Sequence, residues 1–127
     1  MSKKELLHVS NLSAKKRYDY FIKKVADYEV LYSLKLPDGN WAIGEAENNN
    51  FFMLWPNKEA TQQFIDEQWT ECVPFEIPYS NFIDELINYI EKEKFLLNIF
   101  SVKQKTGFVV STNELIRDMN LELEKYG

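Results

Sequence analysis

Residues 51–60 read FFMLWPNKEA: large apolar side chains and a tryptophan running through a proline into a polar, helix-forming stretch. The first four have the composition of a buried strand. Pro56 lacks an N–H and disfavours helical geometry at Trp55, so the strand stops there. Asn57 is placed to cap a helix that begins at 58, and Glu59 falls in its first turn, where the helix dipole favours a carboxylate. Ten residues therefore specify a strand, a corner and a capped helix. The corner poses the functional question: Trp55 either closes the fold or meets a ligand or partner.

Working outward, Ser13 is a candidate N-cap, and Ala14, Tyr18, Phe21, Ile22 and Val25 have the spacing of one helical face, predicting a helix that ends near Tyr28. Residues 30–36, VLYSLKL, place Val30, Tyr32, Leu34 and Leu36 on alternate positions, and PDGN supplies turn chemistry into a second strand, WAIGEA. Asn-rich residues 47–50 turn the chain into FFML. The pattern predicts a three-stranded meander over 30–54, then a helix over 58–68. VPFEIP, framed by Pro74 and Pro78, reads as a short edge-like strand. Ser80 is the expected cap of a helix with the stripe Phe82, Ile83, Leu86, Ile87 and Ile90. FLLNIFSV and GFVV flank KQKT as a hairpin, and STNE at 111–114 fits a capping box for a last helix burying Leu115, Ile116, Met119 and Leu123.

The expectation is one α+β domain spanning 1–127, in the order α-β-β-β-α-β-α-β-β-α. About six strands form a mostly antiparallel or mixed sheet with four helices packed against it, and residues 1–12 are a loosely ordered segment. A chain of 127 residues with 45% hydrophobic, 15% aromatic and 28% charged residues can bury one core and lies outside the range of disorder. No apolar run approaches a membrane span or a signal-peptide core, and Cys72 is the only cysteine, which fits a reducing cytoplasm. Net charge is −5, yet residues 1–25 carry seven Lys/Arg against two Asp/Glu, whereas 59–91 hold eight acidic residues and no basic one.

GNWAIGE, LWPNKEA, Trp69 and VPFEIPYSNFIDELI, in that order and spacing, resemble a bacterial family known as the domain of unknown function 2750 family. The matching positions are Trp41 and Ala42; Leu54, Trp55 and Pro56; Glu59 and Ala60; Trp69; Glu76, Ile77 and Pro78; and Phe82 with Ile83. Asn57 stands where the family has a capping Ser. The resemblance covers about Tyr18 to Tyr126. It implies a single domain without an assigned activity, so it transfers no catalytic residue.

Several chemistries find no residues to carry them. Zinc or haem ligation through His and Cys would rest on His8 and Cys72 alone. Asp66 with Glu67 and Asp84 with Glu85 are helix neighbours about 100° apart, hence poor chelates. The four glycines are too scattered for a phosphate cradle. Glu45, Glu47 and Glu76 lie at strand ends, but nothing singles them out as catalytic; no catalytic residue, metal or cofactor is expected. Lys15, Lys16, Arg17, Lys23 and Lys24 beside Tyr18 and Tyr20 have a nucleic-acid-like composition, which ten net negative charges on the remaining residues oppose. Neither nucleic acid nor membrane is the expected partner.

The aromatic surplus is the remaining clue, since Trp and Tyr left at a surface act as binding anchors. The expected function is that of a small, non-enzymatic, cytoplasmic interaction or regulatory module of immunity-like type. Its acidic, aromatic-bearing face would meet a protein with a basic surface, with Trp41, Trp55, Glu59, Trp69 and Glu76 as candidate contacts. The competing expectation is a small-ligand pocket or modest enzyme near Trp41, Trp55 and Glu76.

Overall fold

In the computed structural model, which describes residues 1–65 and 69–126, the chain runs α1 (Lys3–Ser10), α2 (Ala14–Tyr28), β1 (Val30–Lys35), β2 (Ile43–Ala46), β3 (Asn49–Leu54), α3 (Lys58–Ile65) and β4 (Val73–Pro78). A helical stretch over 79–92 follows, made of α4 (Tyr79–Asn81), a π-helical turn (Phe82–Leu86) and α5 (Ile87–Lys92). Then come β5 (Leu96–Ile99), β6 (Phe108–Val110) and α6 (Thr112–Leu123). The class is α+β with six strands, mostly antiparallel, as expected. No helix among the described residues is long and apolar enough to cross a membrane.

Side-chain caps start the helices where local chemistry dictates. Ser13 Oγ accepts from Lys16 N–H at 3.2 Å, Asn57 Oδ1 accepts from Ala60 N–H at 3.0 Å, and Ser111 and Glu114 form the reciprocal box at the head of α6. Ser80 differs from expectation. Pro78 occupies the cap position without a side-chain bond, Ser80 lies inside the first turn, and the Tyr79 N–H is taken by Glu29 O at 2.8 Å. Residues 1–12, expected to be loosely ordered, carry α1, with Val9 buried and Ser10 Oγ donating to Gln63 Oε1 at 3.2 Å. The expected continuation of the helix to 68, and the Asp66–Glu67 pair, lie outside the described residues.

The sheet departs most from the sequence reading. β2, β3, β5 and β6 form a four-stranded sheet in that order, with β3 and β5 parallel and the other pairs antiparallel. The meander over 30–54 is corrected accordingly: β1 pairs antiparallel with β4, from Val30 opposite Pro78 to Lys35 opposite Val73, and is bridged to the hairpin side at Tyr32–Trp55 and Lys35–Trp41. The even-numbered backbone of β1 serves the hairpin side: Tyr32 N–H donates to Trp55 O at 2.9 Å, Trp55 N–H to Tyr32 O at 2.8 Å, and Ala42 N–H to Leu34 O at 3.0 Å. The odd-numbered groups therefore serve β4.

With both edges occupied, β1 does not alternate cleanly: Leu31, Ser33 and Leu34 are all buried while Leu36 is exposed. Ser33 is tolerated inside because its hydroxyl donates to Met53 O at 2.6 Å. The parallel pairing of the mixed sheet falls between β3 and β5. On β4, the same parity puts Pro74 and Pro78 on the outer side. Two of its three outward donors are thus missing, which blunts the edge against strand addition.

Side chains of Phe52, Leu54, Leu97 and Ile99 share one face of the larger sheet and are fully enclosed, together with Phe21 of α2 and Met119 of α6. After β5 the chain leaves the sheet at Phe100, whose φ of 62° is in the left-handed region. Arg17 holds that departure. Its guanidinium is enclosed and reaches three backbone carbonyls: Nε to Phe100 at 3.0 Å, Nη1 to Leu12 at 2.7 Å and Nη2 to Thr106 at 2.8 Å. Burial pulls its pKa below the usual arginine value, and peptide dipoles, not a carboxylate, hold the charge.

Arg17→Met should leave these carbonyls without donors. An orphaned buried polar group costs about 1–3 kcal/mol, so a loss of roughly 3–5 kcal/mol in urea unfolding is expected. Arg17→Lys, with a single ammonium unable to span three acceptors, should recover only part of it. A loss below about 1 kcal/mol for Arg17→Met would show that the 100–107 loop holds itself.

Candidate functional site

The turn after β1 aims Trp41. Asp38 Oδ1 accepts from Asn40 N–H at 2.9 Å, and Leu36 N–H donates to Asn40 O at 2.8 Å. Between them Gly39 takes a φ of 88°, which only glycine adopts freely. Trp41 emerges half-buried, tilted on Phe52 at 5.1 Å between ring centroids and edge-on to Phe75 at 5.3 Å. The Lys35 ammonium lies 4.0 Å from the Phe75 centroid and 4.6 Å from that of Trp41, a double cation–π contact. No carboxylate among the described residues pairs with Lys35.

From β4, Glu76 neighbours Phe75, and the π-helical turn brings Glu85 and Leu86 to the same place, with Tyr89 one turn on. A π turn carries an extra residue per turn and so resets which side chains face a neighbour. Together these residues line an open cleft of about 390 Å³. Phe75 is 40% exposed and Tyr89 38%, so substantial parts of both rings face solvent.

Of the residues singled out in the sequence, Trp41 and Glu76 meet in this cleft. Trp55 does not reach it. Its ring is wholly enclosed, 5.1 Å from Phe64, and its indole N–H donates to Ser101 O at 2.8 Å. Trp55 therefore closes the corner, and the pocket expected near Trp41, Trp55 and Glu76 has only the first and last on its walls. Trp69, half-buried and edge-on to Phe64 at 5.3 Å, stands over the other sheet, beside a separate cleft. Glu59 is exposed on α3, 3.7 Å from the Met1 ammonium. It lies close enough to Tyr32 to act on it electrostatically, and so shares a neighbourhood with Glu76 without lining the cleft.

The basic segment of α2 is divided: Arg17 points inward, Lys15 pairs with Asp19 at 2.7 Å and Lys24 with Glu5 at 3.9 Å. Cys72 is buried, and burial with the nearby Glu71 raises its thiol pKa, the reverse of an activated nucleophile. Lys35, Phe75 and Tyr89 were not singled out in the sequence, and Glu85 entered only as a poor chelate with Asp84. Phe75 and Lys35 each keep the alternation of their own strand, and only the β1–β4 register juxtaposes them.

Tyr32 stands opposite Glu76 in the β1–β4 ladder and donates to its Oε1 at 2.5 Å. Burial, then this bond, then the Glu76 and Glu59 charges push the phenol from 10.0 up to about 12. A proton held more tightly in the folded state stabilises it fully below the unfolded pKa, and that contribution is lost as pH rises from 10 towards 12. Absorbance titration of tyrosinate should therefore show one phenol moving back towards 10 in Glu76→Gln, with less alkaline destabilisation over that window. An unchanged titration curve would show that the carboxylate does not govern Tyr32.

The chain was compared with known proteins. The family model described as a protein of unknown function (DUF2750) matches residues 18–119. No curated protein matches the chain. The matched span runs from within α2 to within α6, and takes in both sheets, the Trp55 corner and the Trp41 cleft. With four-fifths of its residues matched, the chain belongs to the DUF2750 family.

Proposed function

We propose that the protein is a non-enzymatic interaction module that docks a basic segment of another protein on the Trp41–Phe75–Tyr89 cleft. The observation that carries this reading is the Lys35 ammonium resting on two aromatic faces, with Glu85 lining the same cleft. The surface thus already accommodates a cation on its rings and has a carboxylate beside it. An incoming Lys or Arg would compete with Lys35 for the rings and pair with Glu85.

The rings supply anchor area, since partly exposed aromatics dominate binding energy at small interfaces. Strand addition is the less suitable mode, because Pro74 and Pro78 remove outward donors from β4. An interface of this size fits a transient, salt-sensitive complex. We place it in the bacterial cytoplasm, where the single cysteine remains a thiol.

The expected result is that the immobilised protein captures basic peptides from a mixed-charge library at low salt and releases them as salt rises. Glu85→Lys and Phe75→Ser should each weaken capture at least tenfold, about 1.4 kcal/mol, whereas Lys125→Glu, outside this cleft, should not. Equal capture by all variants, or of acidic and basic peptides alike, would overturn the reading.

A further inference from the structure

The four-stranded sheet has a second, outer face. Its register places Gly44, Phe51, Met53, Asn98 and Val109 on that side, and Trp69 and the 101–106 loop flank them around an open cleft of about 750 Å³. Asn98 lies on the floor, level with Met53 on one neighbouring strand and Val109 on the other. It is only 7% exposed, and its orientation is fixed from behind. Gly107 N–H donates to Ser101 Oγ at 3.0 Å, and the Ser101 hydroxyl donates to Asn98 Oδ1 at 3.4 Å. A methyl group at Gly107 would stand 2.2 Å from that same oxygen, so only glycine permits the arrangement. The amide oxygen is thus turned to the loop, and Asn98 Nδ2 has no acceptor among the described residues. It is not sealed from solvent, since among those residues every fully buried side-chain polar atom has a partner. Its outlet is the cleft.

The charge near that donor has one sign. Lys105 is exposed, lines the cleft from the loop, and pairs with no carboxylate among the described residues. It stands two residues before Gly107, which packs on the Asn98 amide, so its Cα lies within about 7 Å of that glycine, inside the reach of a lysine side chain. Two acidic residues also border the cleft, but neither faces Asn98. Glu45, between Gly44 and Ala46 on β2, directs its side chain to the other face of the sheet. Glu47, in the turn that closes the β2–β3 ladder, lies about five rungs, roughly 17 Å, from the level of Met53. Beside Asn98 the floor is apolar, with Met53 one strand away, about 5 Å. Met53 Sδ and the Trp69 ring lie 3.1 and 3.6 Å from where a methyl group on Gly44 would be, so thioether and indole are neighbours.

We propose that this cleft binds a small monocarboxylate with an apolar body, its carboxylate on Asn98 Nδ2–H and Lys105 and its body on Met53 against Trp69. A nearly buried donor without a protein partner gives up little water to an incoming acceptor, and an ionised acceptor makes the stronger bond. Lys105 sets the sign of the preferred ligand, and the Met53–Trp69 surface supplies the apolar wall that a small-molecule site requires. The site is independent of the Trp41 cleft and holds whether or not that surface docks a protein.

Isothermal titration of the full chain with 3-phenylpropionate should give saturable binding. 3-Phenylpropanol, which lacks the carboxylate, and propionate, which lacks the ring, should each bind at least tenfold more weakly, and 3-phenylpropylamine should not saturate. Asn98→Asp, which exchanges the donor for a repelling oxygen, should weaken binding at least tenfold, with its circular-dichroism melt recorded as a check on folding. Lys105→Glu, on an exposed residue, provides the same test without touching the interior. Equal binding of the acid and the alcohol, binding unchanged in Lys105→Glu or in folded Asn98→Asp, or no saturable binding of 3-phenylpropionate would overturn the proposal.

Discussion

A guanidinium removed from water without a carboxylate is costly unless each of its nitrogens finds an acceptor. Arg17 meets that condition with carbonyls from three places, Leu12 before α2 and Phe100 and Thr106 at the two ends of the loop after β5. The consequence reaches beyond α2. The 100–107 loop leaves β5 through a left-handed Phe100, a conformation that costs a non-glycine residue of the order of 1 kcal/mol. The bond to the Phe100 carbonyl, with Phe100 N–H donating to Leu54 O at 2.8 Å, makes that departure sustainable. Once the loop is fixed, Ser101 and Gly107 are positioned, and with them the Asn98 amide.

β1 plays the corresponding part for the other cleft. Because its even-numbered backbone bonds towards the hairpin and its odd-numbered backbone towards β4, one short strand joins two sheets that otherwise differ in partners and order. Lys35 stands at the end of that joint, where the bridge to Trp41 and the pairing with Val73 coincide. That coincidence brings an ammonium over the rings of Trp41 and Phe75. The cleft is thus a product of register, and shifting β1 by one residue would turn Lys35 away from both rings.

Features governed by neighbours in the chain were legible in the sequence. The caps at Ser13, Asn57 and Ser111, the stop at Pro56, the edge character of VPFEIP and the 96–110 hairpin all depend on a few adjacent residues. Features governed by distant partners were not. VLYSLKL pairs as readily with the next strand as with one forty residues on, and its composition does not distinguish the two. Arg17 looked like one more cation on a basic helix, since the carbonyls that receive it lie up to 89 residues away. Asn98 did leave a trace, as the single amide in FLLNIF, but its significance needed Gly107 and Ser101 beside it. The acidic run over 59–91 was legible as charge, and among the described residues Glu76 and Glu85 of it line the Trp41 cleft.

Trp55 draws these lines together. A tryptophan that is wholly enclosed has no direct part in binding, yet both candidate surfaces depend on where it sits. Its backbone exchanges two hydrogen bonds with Tyr32 of β1, the strand that carries Lys35 to the Trp41 cleft. Its indole N–H fixes the carbonyl of Ser101, whose hydroxyl orients Asn98 in the outer cleft. Pro56 ends β3 at this ring because no further ladder bond can form through a residue without an N–H. The corner thus sets the separation between the two sheets, and each cleft lies against one of them. A tryptophan serves here where a phenylalanine would not, because the indole adds one directed hydrogen bond to its apolar bulk.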